Sequence, residues 1–486
     1  MTMSQSADFV LSNMTIYDGS GQPPWLGDIA VTDERISAVV SHGSQARLNG
    51  SAVFDLKGYA VAPGFIDAHT HDDRIVLDAP EMLPKISQGV TTVIVGNCGI
   101  SLAPVTFEND PPPPMNLLGG REAYEFPTFA AYANHLSRQK PTVNVVALIG
   151  HSALRLRTMK DIGAKASAAE VREMQGLARE AISHGAAGFS TGLFYPTNAA
   201  ADRDEVAAIA RVFADLGGVY ATHMRDEMDH VLESIDETLK TSADADIPLV
   251  ISHHKCAHPR NWGKTKDTLK VLEAAATARP VNVDVYPYTA GSTNLRADLV
   301  TDEFPIRVTW SKPYPEVTGR TLSDIAAEWK CDLHEAARRL DPAGAIYFQM
   351  DEADVRRVIC SPIAMIGSDG LPHDQHPHPR LWGTFPRVIG HYARELGLFP
   401  IETAIHKMTG LTARVFKLKD RGVIREGAFA DLVVFNPKTI KDRATYDSPM
   451  LPSEGIEQVY VNGKLSFSKS GSVGGRAGRL IGGNTQ

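Results

Sequence analysis

Two hydrophobic rhythms run along this chain. Near its start, short apolar stretches alternate with turns: 9–11 and 14–17, the turn Asp18-Gly19-Ser20-Gly21, then 28–31 and 35–40 around Thr32-Asp33-Glu34. This spacing predicts a meander or sandwich of short strands. A similar pattern returns near the other end. There, 430–435 follows the turn Arg425-Glu426-Gly427, and 459–461 runs into the hairpin signal Asn462-Gly463. Strand-rich ends around a different middle suggest one small β-sandwich domain made from 1–62 and 415–486; two separate β appendages are the alternative.

The middle, 63–414, changes period. Short β-branched apolar runs lie at 60–68, 90–96, 143–150, 187–190, 219–222, 249–252, 281–285 and 363–367. Between them fall longer helical patterns, among them 167–184, 203–216, 228–242 and 266–278. Regular βα alternation predicts a parallel sheet, and eight repeats predict a closed α/β barrel, (β/α)8, of the TIM type. A doubly wound open sheet is the alternative, but no Gly-rich dinucleotide fingerprint follows the first strand. Two stretches break the rhythm. Four prolines at 111–114 read as a surface loop or linker. The segment 290–358, between the seventh and eighth strands, reads as an insertion with a helix over 322–340. An insertion after a barrel strand lies on the face that carries chemistry, so a lid or small subdomain is expected.

Composition narrows the classes. With 43% hydrophobic and 22% charged residues, the 486-residue chain is neither disordered, collagen-like nor a coiled coil. Lys+Arg is 49 and Asp+Glu is 57, a net charge of −8, which gives no electrostatic reason to expect nucleic acid. No run approaches the ~18 apolar residues of a membrane span. Residues 1–10 lack a basic region followed by an apolar stretch, so no secretion signal is expected. Cys98, Cys256, Cys331 and Cys360 form no CxxC pair, as in a reduced, cytoplasmic protein.

The residues with chemical potential cluster just after the strands. After the first comes Asp67-Ala68-His69-Thr70-His71; alternation along a strand points His69 and His71 the same way. After the second comes Gly96-Asn97-Cys98-Gly99, where the cysteine offers a thiolate or simply fills a tight turn. His223 ends the fifth strand, Ser252-His253-His254 the sixth, and Ser368-Asp369-Gly370 the eighth. Each has a bland reading alone. Together, His69, His71, Cys98, His223, His253 and Asp369 fall at strand ends that converge on one barrel mouth, and scattered structural residues have no reason to choose that face. A metal site is the expectation.

The run Pro63-Gly64-Phe65-Ile66-Asp67-Ala68-His69-Thr70-His71 resembles the opening signature of the amidohydrolase superfamily of metal-dependent barrel hydrolases. Gly96-Asn97-Cys98-Gly99, Ser190-Thr191-Gly192-Leu193, Ser252-His253-His254-Lys255, Tyr286-Pro287-Tyr288 and His378-Pro379-Arg380-Leu381-Trp382-Gly383-Thr384 are similar to the D-aminoacylase branch, the N-acyl-D-amino-acid deacylases. The resemblance spans almost the whole chain. It implies that Cys98, His223 and His253 hold one zinc tightly, while His69, His71 and Asp369 form a weaker second position. It also implies that Asp369 takes the water proton and returns it to the leaving nitrogen. Arg380 matches the family's carboxylate-binding arginine, and Tyr286 and Ser292 the hydroxyl donors beside it. Tyr195 either borders the acyl group or packs. Lys255 and Arg296 offer positive charge for an acidic D-amino acid, though apolar D-amino acids are equally compatible. Relatives of the hydantoinase and dihydroorotase type carry a metal-bridging lysine after strand four; 185–196 contains none, which weighs against cyclic-amide hydrolysis. A barrel that has lost catalysis should also have lost ligands, and these are all present. The implied partner is a small N-acyl-D-amino acid, with neither nucleic acid nor membrane; the oligomeric state is not legible.

Overall fold

The computed structural model describes residues 7–44, 48–472 and 474–482. Residues 1–6, most of the stretch read for a secretion signal, lie outside the described residues, as do 483–486.

The two chain ends meet in one sheet. Its strands run Gly471–Ser472, Lys464–Ser468, Ile456–Val461, Leu432–Phe435, Ala60–Pro63, Ala7–Ile16, Trp25–Thr32 and Arg35–Ser41, with Gly50–Asp55 branching from Ala7–Ile16. The junction is the antiparallel ladder between Ala60–Pro63 and Leu432–Phe435. Leu11, Met14, Ile29 and Ile36 from one end share a buried core with Ala430, Leu432 and Val434 from the other. Neither end can cover its apolar face alone. Asn462-Gly463 forms the two-residue hairpin turn, both residues at positive φ (47° and 77°).

The barrel strands are Phe65–Asp67, Val90–Val95, Asn144–Gly150, Gly188–Gly192, Val219–His223, Leu249–Ile251, Val281–Val285 and Ala364–Ile366, all parallel and paired in chain order. The seam between the eighth and first is closed by Ala68 N donating to Ile366 O (3.1 Å) and Asp369 N to His69 O (2.8 Å). The run expected as one strand over 60–68 divides at Gly64: its first half joins the small sheet and its second opens the barrel. Ile66 and Ala68, Val146 and Leu148, and Val219 and Ala221 recur at a spacing of two and share one buried cluster. Ile481, from the C-terminal segment, belongs to the same cluster. Surrounding helices begin where capping chemistry predicts. Ser167 and Glu170 form a reciprocal capping box at Ala168–Ser183, and the Asp202 side chain caps Arg203–Ala214.

Two expectations need correction. The helix over 322–340 is two helices, Leu322–Trp329 and Leu333–Leu340, because Lys330 turns left-handed (φ 52°) and Asp332 caps a new start. The prolines at 111–114 are not simply a surface loop. Pro111 and Pro114 are buried, and the run leads into the 3-10 turn Met115–Leu118, whose Asn116 Oδ1 accepts from Asn294 Nδ2 (3.0 Å). Asn294 belongs to the insertion, which carries its own antiparallel sheet of Gly291–Asn294, Ala343–Tyr347 and Ile306–Ser311 over a separate apolar core. Among the described residues no helix is long and apolar enough to cross a membrane.

Candidate active site

The strand ends present their donors through unusual backbone. Cys98, His253 and Asp369 all adopt left-handed φ, at 55°, 37° and 50°. Such conformations cost of order 1–3 kcal/mol each and persist where surrounding structure imposes them. The cysteine turn shows how. Gly96 takes φ 79°, and a Cβ there would lie 2.1 Å from the Leu148 carbonyl oxygen, so only glycine lets the turn approach the third strand. Asn97 Nδ2 then donates to Ile94 O (2.8 Å), and Gly99 N donates to Ser190 Oγ (3.0 Å).

The donors meet around the cysteine. Cys98 Sγ lies 3.3 Å from His69 Nε2 and 3.4 Å from His253 Nε2. His69 and His71 place Nε2 3.5 and 3.3 Å from Asp369 Oδ1. The His223 ring packs edge-on to His253, with centroids 4.5 Å apart. His69, Cys98 and His253 therefore hold three donor atoms within 4.8 Å of one another, and so do His69, His71 and Asp369. All six expected ligand residues are buried. The set departs from the expected split in one respect: His69 belongs to both groupings, and His223 stands beside Glu227 and His253.

These residues fit a metal ion. Neither ring nitrogen of buried His223 makes a hydrogen bond, nor does Nδ1 of His71. A buried imidazole left so is costly unless something coordinates it. Burial opposes ionising the Cys98 thiol, yet neighbouring His69 and His253 hold it well below its ordinary value. Burial likewise opposes ionising Asp369, but Arg380, His69 and His253 hold its carboxyl well below the usual carboxylate range. Burial keeps the His223 imidazole below its ordinary value, and so neutral. Against the pull of burial, neighbouring carboxylates and the Cys98 sulfur raise the His69, His71 and His253 imidazoles, and a thiolate, imidazoles and a carboxylate together are the donor set of a borderline-soft divalent ion.

A second ring of residues, missed from sequence, aims these ligands. Asp284 Oδ2 faces His69 Nδ1 at 3.2 Å, and its Oδ1 accepts from His253 N (2.8 Å). Its signal was a carboxylate inside the apolar run Val281–Val285. Glu227 Oε1 lies 3.0 Å from His253 Nδ1, four residues after His223. Carboxylates behind metal-binding imidazoles fix tautomer and ring direction.

The expected substrate residues are close by, though not all are free. Arg380, fully buried, sets Nη1 2.9 Å from Asp369 Oδ2 and donates from Nη2 to the Ser292 carbonyl (3.1 Å). Its guanidinium lies over the Tyr286 ring, 4.6 Å from the centroid. Ser292 Oγ donates to Ala345 O (3.2 Å), within the insertion sheet. Tyr195 stands against His223, with centroids 5.1 Å apart, and its hydroxyl meets Thr293 Oγ1 at 3.1 Å. Lys255 donates to Glu227 Oε2 (2.7 Å), and Arg296 to Asp298 (2.7 and 3.0 Å). Leu117, Phe194, Met228, Leu299 and Leu371 wall the remaining cleft.

Comparison with known proteins places this arrangement. Residues 52–344 and 273–467 match the Amidohydrolase family. The chain is 48% identical to a D-aminoacylase of Alcaligenes xylosoxydans xylosoxydans, over 98% of each chain. The chain belongs to the amidohydrolase family, in its N-acyl-D-amino-acid deacylase branch. An N-acyl-D-aspartate deacylase of the same organism is 46% identical, over 98% of this chain and 95% of that one. The crystal structure of an N-acyl-D-glutamate deacylase from Bordetella bronchiseptica, complexed with zinc and a phosphonate mimic of the tetrahedral intermediate, superposes with a TM-score of 0.94. It is 44% identical and covers 98% of this chain and all of that one.

Proposed function

We propose that this chain hydrolyses the amide bond of N-acyl-D-amino acids, giving a carboxylate and a free D-amino acid, with zinc as its ion. The observation that carries this reading is the contact between Asp369 and Arg380. It sets a proton acceptor, beside the donor cluster, 2.9 Å from a buried guanidinium suited to an amino-acid carboxylate. The D preference is carried over from the relatives, each named for D-amino-acid chemistry or as a D-aminoacylase.

Cys98, His223 and His253 are assigned to the tightly held ion, with His69 shared towards a weaker position at His71 and Asp369. A divalent ion there supplies Lewis acidity to the amide carbonyl and acidifies water. Asp369, held ionised, takes the proton of the attacking water and returns it to the nitrogen, because an amine anion leaves poorly. Arg380 clamps the substrate carboxylate from above the Tyr286 ring. Tyr195, at the Phe194 wall, borders the acyl side. Lys255 lines the cleft beside Gln349 but is held by Glu227, Arg296 is held by Asp298, and Leu117, Phe194, Met228, Leu299 and Leu371 line the same cleft, which favours neutral over acidic side chains. All four cysteines are unpaired, which supports a cytoplasmic setting.

The test uses zinc-loaded protein and racemic N-acetyl leucine, methionine, phenylalanine, glutamate and aspartate, with chiral chromatography of the products. Only D-amino acids should appear, neutral ones fastest. Release of L-amino acids, or none while hydantoin opens, would overturn the reading. A second expectation concerns the clamp. Arg380→Lys keeps the charge and loses the fork. Loss of one charge-assisted hydrogen bond, about 1.5–3 kcal/mol, should raise KM by about 10- to 100-fold in steady-state kinetics. An unchanged KM removes Arg380 from substrate binding.

A further inference from the structure

The seam that closes the barrel divides the candidate site. His69 and His71 extend from the first strand, and Asp369 follows the eighth. The seam is joined by two backbone hydrogen bonds and a bridge between Thr70 and Gly370, and a side-chain tie adds to these. Lys85 makes that tie. It comes from the short turn Leu83–Ile86, between the first and second strands, and is wholly buried. Its Nζ donates to Asp67 Oδ2 (2.8 Å) on the first strand and to Ser368 Oγ (2.6 Å) beside the eighth. It also lies 3.4 Å from Asp72 Oδ2. The other oxygen of Asp67, Oδ1, accepts from Ser368 N (2.7 Å), and Ser368 Oγ accepts from Gly370 N (3.2 Å). Neither carboxylate oxygen of Asp72 makes a hydrogen bond; the Lys85 ammonium, with the His71 imidazole, is what offsets its charge.

One buried cation thus ties both sides of the seam through residues that flank, but are not, the expected ligands. Asp67 lies two residues before His69, Asp72 one after His71, and Ser368 one before Asp369. Without the ammonium, the two buried carboxylates lose their shared cation, and Asp67 keeps only the backbone donors Ser368 N (2.7 Å) and His69 N (3.3 Å). A buried pair with one partner removed is strongly destabilised, and the strain falls on the Ser368-Asp369 turn, already held at left-handed φ.

We propose that Lys85 is a positioning residue that fixes Asp369 against His69 and His71, setting it for proton transfer and completing the weaker metal position. The proposal rests on the reading of Asp369 given above. It makes a separable claim: loss of Lys85 is felt at Asp369 and not around Cys98.

The test is Lys85→Met in the full-length protein, which keeps the aliphatic stem and removes the charge. Zinc binding by calorimetry is compared with Asp369→Ala and Cys98→Ala, which mark the two positions. The affinity that depends on Asp369 should fall about 10- to 100-fold, the scale of an outer-shell loss, while the affinity that depends on Cys98 stays within about twofold. With N-acetyl-D-leucine, kcat should fall on the same scale and KM should hold. Equal losses at both metal positions, or an unchanged Asp369-dependent affinity and kcat, would overturn the proposal. If Lys85→Met does not fold, Ser368→Ala, which removes only the hydroxyl joint, should lower kcat in the same direction without moving KM. No change there overturns the proposal too. Failure of the deacylase reading is seen separately, as a wild type that hydrolyses no N-acyl-D-amino acid. The Asp369-dependent affinity then decides on Lys85 by itself.

Discussion

Asp369→Asn is expected to lower kcat by about 10²- to 10⁴-fold, the range a positioned acid–base group contributes. Asparagine keeps the volume and can still hydrogen-bond His71, but cannot take a proton from water. The contact with Arg380 sharpens the expectation. In the wild type, Arg380 Nη1 lies 2.9 Å from Asp369 Oδ2, so a substrate carboxylate must share the guanidinium with this side chain. Asparagine removes that competitor, and KM should hold steady or fall while kcat collapses. The two parameters therefore move apart, as they do when an interaction made in the transition state is lost. The stability effect runs the other way: a buried guanidinium without its carboxylate is unfavourable. A lower Tm without substrate, partly restored by the product D-amino acid, should accompany the kinetic change. Steady-state kinetics and thermal unfolding by circular dichroism measure both. A kcat within tenfold of wild type would remove Asp369 as the proton carrier.

Much of this site could be read from the chain because barrels convert sequence position into spatial position. A residue one or two places after a strand must lie at the mouth, whatever its neighbours, so His69, His71, Cys98, His223, His253 and Asp369 were placed together by strand periodicity alone. The supporting ring was not legible by that logic. Glu227 and Asp284 act through side-chain reach to His253 and His69, and Lys85 reaches the seam from a turn before the second strand. Nothing in a strand-end pattern separates such residues from ordinary surface charges. The pairing of the two β-rich ends was suggested by matching rhythm, yet the split of 60–68 between two sheets was not. A continuous apolar run carries no mark of where one ladder ends and another begins. The break within 322–340 hid for the opposite reason: Lys330 and Asp332 are compatible with helix until the backbone turns left-handed at Lys330. The charge reading of Lys255 and Arg296 shows a third limit. Both cations lie close to the cleft, but sequence does not reveal that Glu227 and Asp298 already hold them.

Cys98→Ser should abolish tight metal binding while leaving the fold intact. Serine has nearly the volume of cysteine, and it adopts the left-handed φ of this turn no less readily, so Gly96, Asn97 and Gly99 keep their contacts. What changes is the donor. The Cys98 thiol is held well below its ordinary value against the pull of burial, by His69 and His253, and so offers a thiolate. A serine hydroxyl stays neutral there and is a harder, weaker ligand for zinc. Because Cys98 Sγ lies within 3.4 Å of two imidazoles, its loss removes the central atom of the His69–Cys98–His253 group rather than one at its edge. Activity should therefore fall further than the ~10- to 100-fold typical of an outer-shell partner. Thermal unfolding gives a readout independent of turnover. An ion that binds only the folded state raises Tm in proportion to the logarithm of its concentration over Kd, so wild type should gain Tm on zinc addition and lose it on chelation. Cys98→Ser should show neither response at micromolar zinc, and metal analysis after dialysis should find it stripped. If the serine variant keeps its zinc through dialysis and its Tm still answers to chelation, the imidazoles and Asp369 suffice as ligands and the cysteine is no more than the occupant of a tight turn.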